Sequence, residues 1–312
     1  MALPVRSMTL TEAVDTTRTG SAWYFNSDLE YVEESTSDVA RIDYDPATGD
    51  RLGLMSEGAS TNLFQNSEDA SAANYDNVGI TVGTPTTFAT NISLDQIVED
   101  SSTGPHYVGD LITTTTGNTY TYSVLLKYID VADVTLRLGS GSNHVSCTFD
   151  IQAGTAGAAA VNGSVSSGTR EIRSLGGGVY RCSVSCEAPA ATCYARAEIS
   201  RSGVSYAGDG SSSMYAGAHQ LEELPFASSY IPTAGSQVTR AAETHELVSL
   251  DPWYRASGYS VAVQFIMRSV AGPPDGIYRA VDISDASGDD RVDVRISPSV
   301  PGTVLSVRNG GD

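Results

Sequence analysis

The sequence contains no apolar run that approaches the roughly 20 residues of a membrane-spanning helix, so we expect no membrane insertion. Basic residues are also scarce, with 18 lysines and arginines against 37 aspartates and glutamates. Nucleic-acid backbones are bound by clustered basic residues, so the net charge of -19 argues against nucleic acid as the main partner. The opening residues, MALPVRSMTLTEAV, lack the apolar core of about 7–15 residues found in secretion signals, which predicts synthesis in a cytoplasm without export.

Signals of catalysis are few. The chain has 4 histidines, no Gly-x-Ser-x-Gly elbow and no Walker loop. A serine or cysteine nucleophile needs a base positioned beside it, and the sequence places no histidine in such a motif. Acidic pairs of the kind that glycosidases use are present, but a chain this acidic supplies such pairs by chance. We therefore expect a protein that is not an enzyme, with polysaccharide cleavage kept as an alternative.

The 4 cysteines lack the Cys-x-x-Cys spacing that zinc sites favour. Cys182 and Cys186 would share one face of a strand about 13 Å apart, too far for a mutual disulfide. We expect all of them to be small, buried, free thiols, namely Cys147, Cys182, Cys186 and Cys193.

The composition of the sequence favours β-strands, with 40% hydrophobic residues, 18% charged residues and 30 glycines. Short runs of alternating apolar and polar residues recur from residue 80 to residue 199, separated by clusters of Gly, Asn, Ser and Thr. This spacing predicts an all-β protein of the sandwich or jelly-roll type. The alternation predicts an inward-facing set comprising Leu63, Tyr122, Leu136, Phe149 and Val184.

One stretch organises the chain, YAGAHQLEELPFASSYIPTAGSQVT at residues 215–239. Pro225 ends the strand pattern because proline cannot donate to a sheet ladder. The residues before Pro232 are extended, since a residue that precedes proline favours β or polyproline geometry. The stretch therefore predicts the last strand of a β-domain followed by a fixed exit path.

Three blocks in this sequence resemble a module of tailed-bacteriophage fibre and appendage proteins, the head-spike-fibre or carbohydrate-binding-module-like jelly rolls. They are RIDYDPATGDRLGLMSEGASTNLFQNSEDASAANY at 41–75, GGGVYRCSVSCEA at 176–188 and AGAHQLEELPFASSYIPT followed by VTRAA. The resemblance implies a virion structural protein assembled in the host cytoplasm, with an N-terminal arm that binds other virion proteins. It also implies a homotrimer that adheres to host-surface polysaccharide; a receptor-binding tail fibre or a polysaccharide-degrading tailspike is the alternative.

The predicted organisation has four parts. Residues 1–57 form an N-terminal arm and β-hairpin, residues 58–233 the jelly roll, residues 234–246 a linker, and residues 247–312 a second β-domain. The last part carries the alternating segments YSVAVQFIMRS, YRAVDIS, RVDVRIS and TVLSVRN, which resemble the opening strands of a concanavalin-like (laminin-G-like) sandwich. A sandwich of that kind normally needs about 100 residues or more, so we expect the second one to be incomplete.

Two kinds of site remain open. Tyrosine is amphipathic and common at binding surfaces, and the tyrosines in or beside predicted loops are candidates for glycan stacking: Tyr107, Tyr194, Tyr206 and Tyr215. The loop at residues 200–215 is the preferred recognition segment. Carbohydrate-binding-module jelly rolls often hold a structural Ca²⁺, and the matching acids here are Glu57, Glu222 and Glu223. No other cofactor is expected.

Overall fold

The computed structural model describes residues 14–247, apart from residues 90, 202 and 204, together with the backbone of residues 278–284, 291–296 and 303–308. The described residues form strands, turns and loops, and none of them lies in a helix that could cross a membrane. The chain divides into two compact units, residues 1–249 and 250–312. The predicted all-β fold class is confirmed.

The first unit begins with short strands: β1 (Val14–Thr17), β2 (Ala22–Phe25), β3 (Tyr31–Glu34), β4 (Ile42–Tyr44), β5 (Arg51–Leu54) and β6 (Ser60–Asn62). The sandwich strands follow: β7 (Ile80–Val82), β8 (Thr86–Ala89), β9 (Ile92–Glu99), β10 (Thr103–Gly104), β11 (Tyr107–Thr113), β12 (Thr119–Tyr128), β13 (Asp133–Ser140), β14 (Asn143–Asp150), β15 (Thr155–Ala156), β16 (Ala160–Asn162), β17 (Gly168–Ser174), β18 (Val179–Glu187), β19 (Thr192–Ile199), β20 (Tyr206–Ala207) and β21 (Ser213–Glu222). The unit ends with β22 (Val238–Arg240) and β23 (Thr244–Leu247).

Two antiparallel sheets form the sandwich. The front sheet has the order β11-β19-β13-β14-β15, with β16 also paired to β14. The back sheet has the order β17-β18-β12-β21-β9-β7, with β8 also paired to β9. Each sheet also pairs strands that are distant in sequence, such as β11 with β19 and β12 with β21, as in Greek-key and jelly-roll folds.

The inner faces of the two sheets make one hydrophobic core. Tyr122, Leu136, Phe149 and Val184 are all 0% exposed, which confirms their predicted inward orientation. Leu63 is only partly buried and packs against the edge of this core. All 4 cysteines are free and buried, as predicted, and burial raises the pKa of Cys186 to about 12. These thiols are packing residues at neutral pH.

The outer face of the back sheet is covered by a third layer that the sequence did not predict. β2 and β3 form a hairpin, and Trp23 and Phe25 of β2 pack on Leu94 and Leu125 of the back sheet. The hairpin predicted at this point is therefore present, but it lies against the sandwich. Residues 1–13, which include much of the predicted arm, lie outside the described residues.

Buried ion pairs hold this third layer in place. The guanidinium groups of Arg18 and Arg41 are fully buried and both contact Glu243, at 3.1 and 2.6 Å. The segment expected to be a linker instead carries β22, which pairs with β6, and β23, which pairs with β1. A polar sequence of mixed charge resembles a linker locally, but here Arg240 and Glu243 form ion pairs with residues more than 180 positions away.

The second unit contains an antiparallel sheet of β24 (Tyr278–Ser284), β25 (Arg291–Ile296) and β26 (Thr303–Arg308), in that order. These strands coincide with three of the alternating segments in the sequence. The fourth segment, at residues 259–269, lies outside the described residues.

Candidate functional site

The outer face of the front sheet carries a cluster of aromatic and charged side chains. In β19, the inward positions are taken by Cys193, Ala195 and Ala197, which are at most 1% exposed. Because side chains alternate along a strand, Tyr194, Arg196 and Glu198 share the opposite face. Strand pairing then sets Arg137 of β13 beside Arg196, and Tyr107 of β11 beside Glu198.

We call this cluster the Arg196 face; its members are Tyr107, Arg137, His144, Tyr194, Arg196 and Glu198. The guanidinium carbon of Arg196 lies 4.4 Å from the ring centroid of Tyr107 and 4.3 Å from that of Tyr194. Both distances are well within the cation–π range of about 6 Å. Arg196 is thus held between two aromatic rings, and neither ring can move without losing that contact.

A single carboxylate serves both arginines of the face. Glu198 is 3% exposed, and its two oxygens lie 2.7 Å from Nε of Arg196 and 2.8 Å from Nε of Arg137. The cluster therefore carries one negative and two positive charges. A second carboxylate lies at the edge of the cluster, because the Tyr107 hydroxyl donates to Asp76 at 3.2 Å.

The remaining contacts fix the side chains further. Nη1 of Arg137 donates to Nε2 of His144 at 3.0 Å. Burial, together with the nearby Arg137, lowers the pKa of His144, so the imidazole is neutral and can accept that bond. The Tyr194 hydroxyl donates to the carbonyl of Gly141 at 3.0 Å, and burial raises the pKa of Tyr194, which keeps it protonated. The rings are therefore oriented before any ligand arrives.

This arrangement can bind a sugar ring by two chemistries. The half-buried aromatic face of Tyr194 lies beside Leu111, which is 58% exposed and directly opposite it on β11. Together they offer an apolar strip against which the C–H face of a sugar can pack. The guanidinium groups beside that strip present N–H donors in the planar geometry that suits carboxylate and sulfate oxygens.

The structure brings together two of the four tyrosines proposed from sequence, Tyr107 and Tyr194. Tyr206 lies elsewhere: its hydroxyl donates to Glu99 at 2.6 Å and its ring packs on His106, with centroids 4.7 Å apart. Tyr215 is on β21 of the back sheet and packs against the third layer. The recognition loop chosen from sequence therefore supplies no residue to the Arg196 face.

The three acids proposed for Ca²⁺ have other partners. Glu57 contacts Arg41 at 2.9 Å and Arg240 at 3.3 Å. Burial opposes ionisation of Glu57, but these two arginines and the hydrogen bonds from Ser229 outweigh it and lower its pKa to about 2.

The other two acids are held by hydrogen bonds. Glu222 is buried and accepts from Ser60 at 2.7 Å and from Ser228. Glu223 accepts from Asn118 and from the Tyr120 hydroxyl, both at 2.7 Å. In the part of the chain that the structure describes, no group of three or more His, Cys, Asp or Glu side chains could hold a metal ion.

Sequence reasoning missed Arg137, His144, Arg196 and Glu198 as site residues. The signal for β19 was present, because the period of two in TCYARAEI separates Cys-Ala-Ala from Tyr-Arg-Glu. The sequence of β13 gives no such signal. Arg137 reaches the site because it pairs with Arg196, which is 59 positions later in the chain.

Comparison with known proteins gives no identification: neither family models nor curated protein sequences match this chain.

Proposed function

We propose that this chain is a non-enzymatic appendage protein of a tailed-bacteriophage virion, and that it adheres to host-surface glycan through the Arg196 face. The virion assignment is supported by the three sequence blocks that resemble phage fibre modules. The all-β sandwich is compatible with that resemblance. The assignment of glycan binding is supported by the geometry of the face itself.

One observation carries the glycan proposal: Arg196 is held between Tyr107 and Tyr194 on the sheet face that lacks a covering layer among the described residues. The equivalent face of the back sheet is buried under the hairpin, so the two outer faces of the sandwich differ in packing. Fixed aromatic rings lower the entropy cost of binding a rigid ring such as a sugar.

The test is direct binding of the full chain to a panel of purified capsular and lipopolysaccharide glycans, measured by glycan array and by calorimetry. Arg196→Ala and Tyr194→Ala should each weaken binding by about tenfold, equivalent to about 1.4 kcal/mol. Tyr194→Phe should bind more tightly than Tyr194→Ala, because it keeps the ring and loses only the hydroxyl bond to Gly141. Arg51→Ala is the matched control, since Arg51 is an exposed arginine on β5.

Two outcomes would contradict the proposal. Equal binding by Arg196→Ala and Arg51→Ala would exclude the Arg196 face as the site. Release of reducing ends from any glycan of the panel would indicate a polysaccharide-degrading tailspike, so the same incubations are assayed for new reducing ends.

A further inference from the structure

A cleft of about 470 Å³ lies between the hairpin and the back sheet. One wall is formed by residues 29–32 of the hairpin, and another by residues 86–89, which include the whole of β8. The turn after β17 closes a third side, and Leu94 and Lys127 of the back sheet line the floor. The volume is within the range of about 300–1,000 Å³ that is usual for small-molecule sites.

Lys127 places a side-chain ammonium group in the lining of this cleft. It is the only lysine among the 312 residues of the sequence. It lies on β12 between Val179 and Tyr215 of the neighbouring strands, and its side chain is half-buried. Among the described residues its side-chain ammonium has no hydrogen-bonded or ionic partner.

Most of the described arginines, unlike Lys127, have a carboxylate partner. Arg18, Arg41, Arg137, Arg196, Arg201 and Arg240 each have a carboxylate within 4.0 Å. Glu30 lines the same cleft, but its carboxylate accepts from the side-chain amide of Asn26 at 3.2 Å and makes no ion pair with Lys127. The cleft therefore contains an ammonium group without a counter-ion, in a protein with 37 acids.

The other walls combine apolar side chains with polar ones. The rings of Tyr31 and Phe88 are stacked with centroids 6.4 Å apart. Leu94, Leu175 and Val179 lie behind these rings and are at most 5% exposed, so they offer a ligand little surface. An apolar or aromatic body can pack against the partly exposed rings of Tyr31 and Phe88, because removing apolar surface from water is favourable.

We propose that this cleft binds a small amphipathic carboxylate, with the carboxylate on the Lys127 ammonium and the apolar body against Tyr31 and Phe88. The half-buried position strengthens the ion pair, because charges interact more strongly where water is partly excluded. The site is on the opposite sheet from the Arg196 face, so it is independent of the glycan proposal.

The single lysine allows a specific test. Reductive methylation with ¹³C-formaldehyde labels only Lys127 and the terminal α-amino group, and it keeps the charge of the lysine. The labelled full chain is titrated with 4-phenylbutyrate and octanoate, and separately with their neutral amides, while both methyl signals are followed by NMR. We expect the acids to shift the Lys127 signal and to bind about tenfold more tightly than the amides.

Two variants complete the design. Lys127→Met keeps the length of the side chain and removes the charge, and it should abolish the preference for acid over amide in calorimetry. Thr87→Trp places a large ring at an exposed position of the cleft wall, and it should block the acids while leaving Lys127 in place. If Lys127→Met does not fold, Thr87→Trp still provides the test, because an exposed substitution should leave the fold intact.

The proposal is wrong if the Lys127 signal does not move at millimolar acid, or if only the α-amino signal moves. It is also wrong if acids and amides bind equally, or if Thr87→Trp binds the acids as well as wild type.

Discussion

Arg137 and Arg196 lie directly opposite each other on neighbouring strands, and one buried carboxylate, Glu198, contacts both. Like charges in directly opposed positions of a sheet repel each other. Glu198 offsets this repulsion, because its carboxylate attracts both guanidinium groups. The Arg196 face therefore depends on Glu198 for its stability as well as for its geometry.

Glu198→Gln should lower the free energy of unfolding by about 3 kcal/mol, because it leaves two partly buried guanidinium groups without a counter-charge. Urea unfolding followed by tryptophan fluorescence measures this. Added sulfate should restore part of the loss in the variant and much less in wild type. The double variant Arg137→Gln/Glu198→Gln should be more stable than Glu198→Gln alone. Equal unfolding midpoints for wild type and Glu198→Gln would contradict this account.

Glu243→Gln should destabilise the first unit more severely. Glu243 is 7% exposed as a residue, its carboxylate side chain is fully buried, and it contacts two arginines whose side chains are also fully buried. Breaking a buried pair on one side costs about 3–5 kcal/mol. Because Arg18 and Arg41 flank the hairpin, limited trypsin digestion should cut the variant at these residues before wild type is cut. Glu171→Gln, an exposed change on β17, is the control and should behave as wild type in both assays.

The stability of the protein should fall as the pH falls below about 6.5, and His219 is a main cause. Its side chain is fully buried, its Nδ1 lies 2.9 Å from the Tyr122 hydroxyl, and burial lowers its pKa to about 3. A buried histidine of this kind does not lower stability while the pH is above the pKa of histidine in the unfolded chain. As the pH falls below that pKa, the unfolded chain takes up a proton that the folded chain does not, and stability is lost. At pH 5 the loss from His219 is about 2 kcal/mol.

His219→Asn tests this, because asparagine can keep the hydrogen bond to Tyr122 and cannot titrate. The pKa values of His144 and His245 are also lowered by burial and act in the same direction, so the slope should become shallower without vanishing. The measurement is the urea midpoint between pH 7 and pH 5. A slope that does not change in the variant would mean that His219 is not buried as a neutral ring.

Phe149→Ala should cost about 3–5 kcal/mol, the usual range for removing a buried aromatic ring. Phe149 is 0% exposed and lies in the core between the two sheets. Leu111→Ala is a matched control, because Leu111 is a large apolar residue of the same sheet that is 58% exposed. Its change should stay within about 0.5 kcal/mol. An unchanged melting temperature for Phe149→Ala would mean that the side chain of Phe149 points away from the core.

The sequence predicted what depends on local alternation. Tyr122, Leu136 and Phe149 were assigned to the core from a period of two, and all are buried. It could not predict the third layer, because the contact of Trp23 with the back sheet leaves no periodic signal in the chain.

The same limit applies to the polar sites. Arg18 and Glu243 are 225 residues apart, and the local sequence around each one is typical of a solvent-exposed charged residue. Glu57 is a Ca²⁺ candidate from the family resemblance, whereas its partners in the structure are Arg41 and Arg240. Pairings of charged residues over such separations are set by the topology of the folded chain, which local patterns do not encode.

Finally, we expect the full chain to self-associate as a homotrimer; the number three comes from the resemblance to phage fibres. Assembly itself has a physical argument. The second unit contains a sheet in which β24 and β26 are paired on one side only among the described strands, and open strand edges favour pairing with another chain.

Charge opposes this assembly, because each copy carries a net charge of -19. Salt screens such repulsion, with a Debye length of about 10 Å at 0.1 M, so moderate salt should tighten the trimer. Sedimentation equilibrium at low and moderate salt measures both the stoichiometry and its salt dependence. A stable monomer at micromolar concentration in both buffers would contradict self-assembly. Association that weakens with salt would mean that charge pairs, rather than apolar contacts and strand edges, hold the copies together.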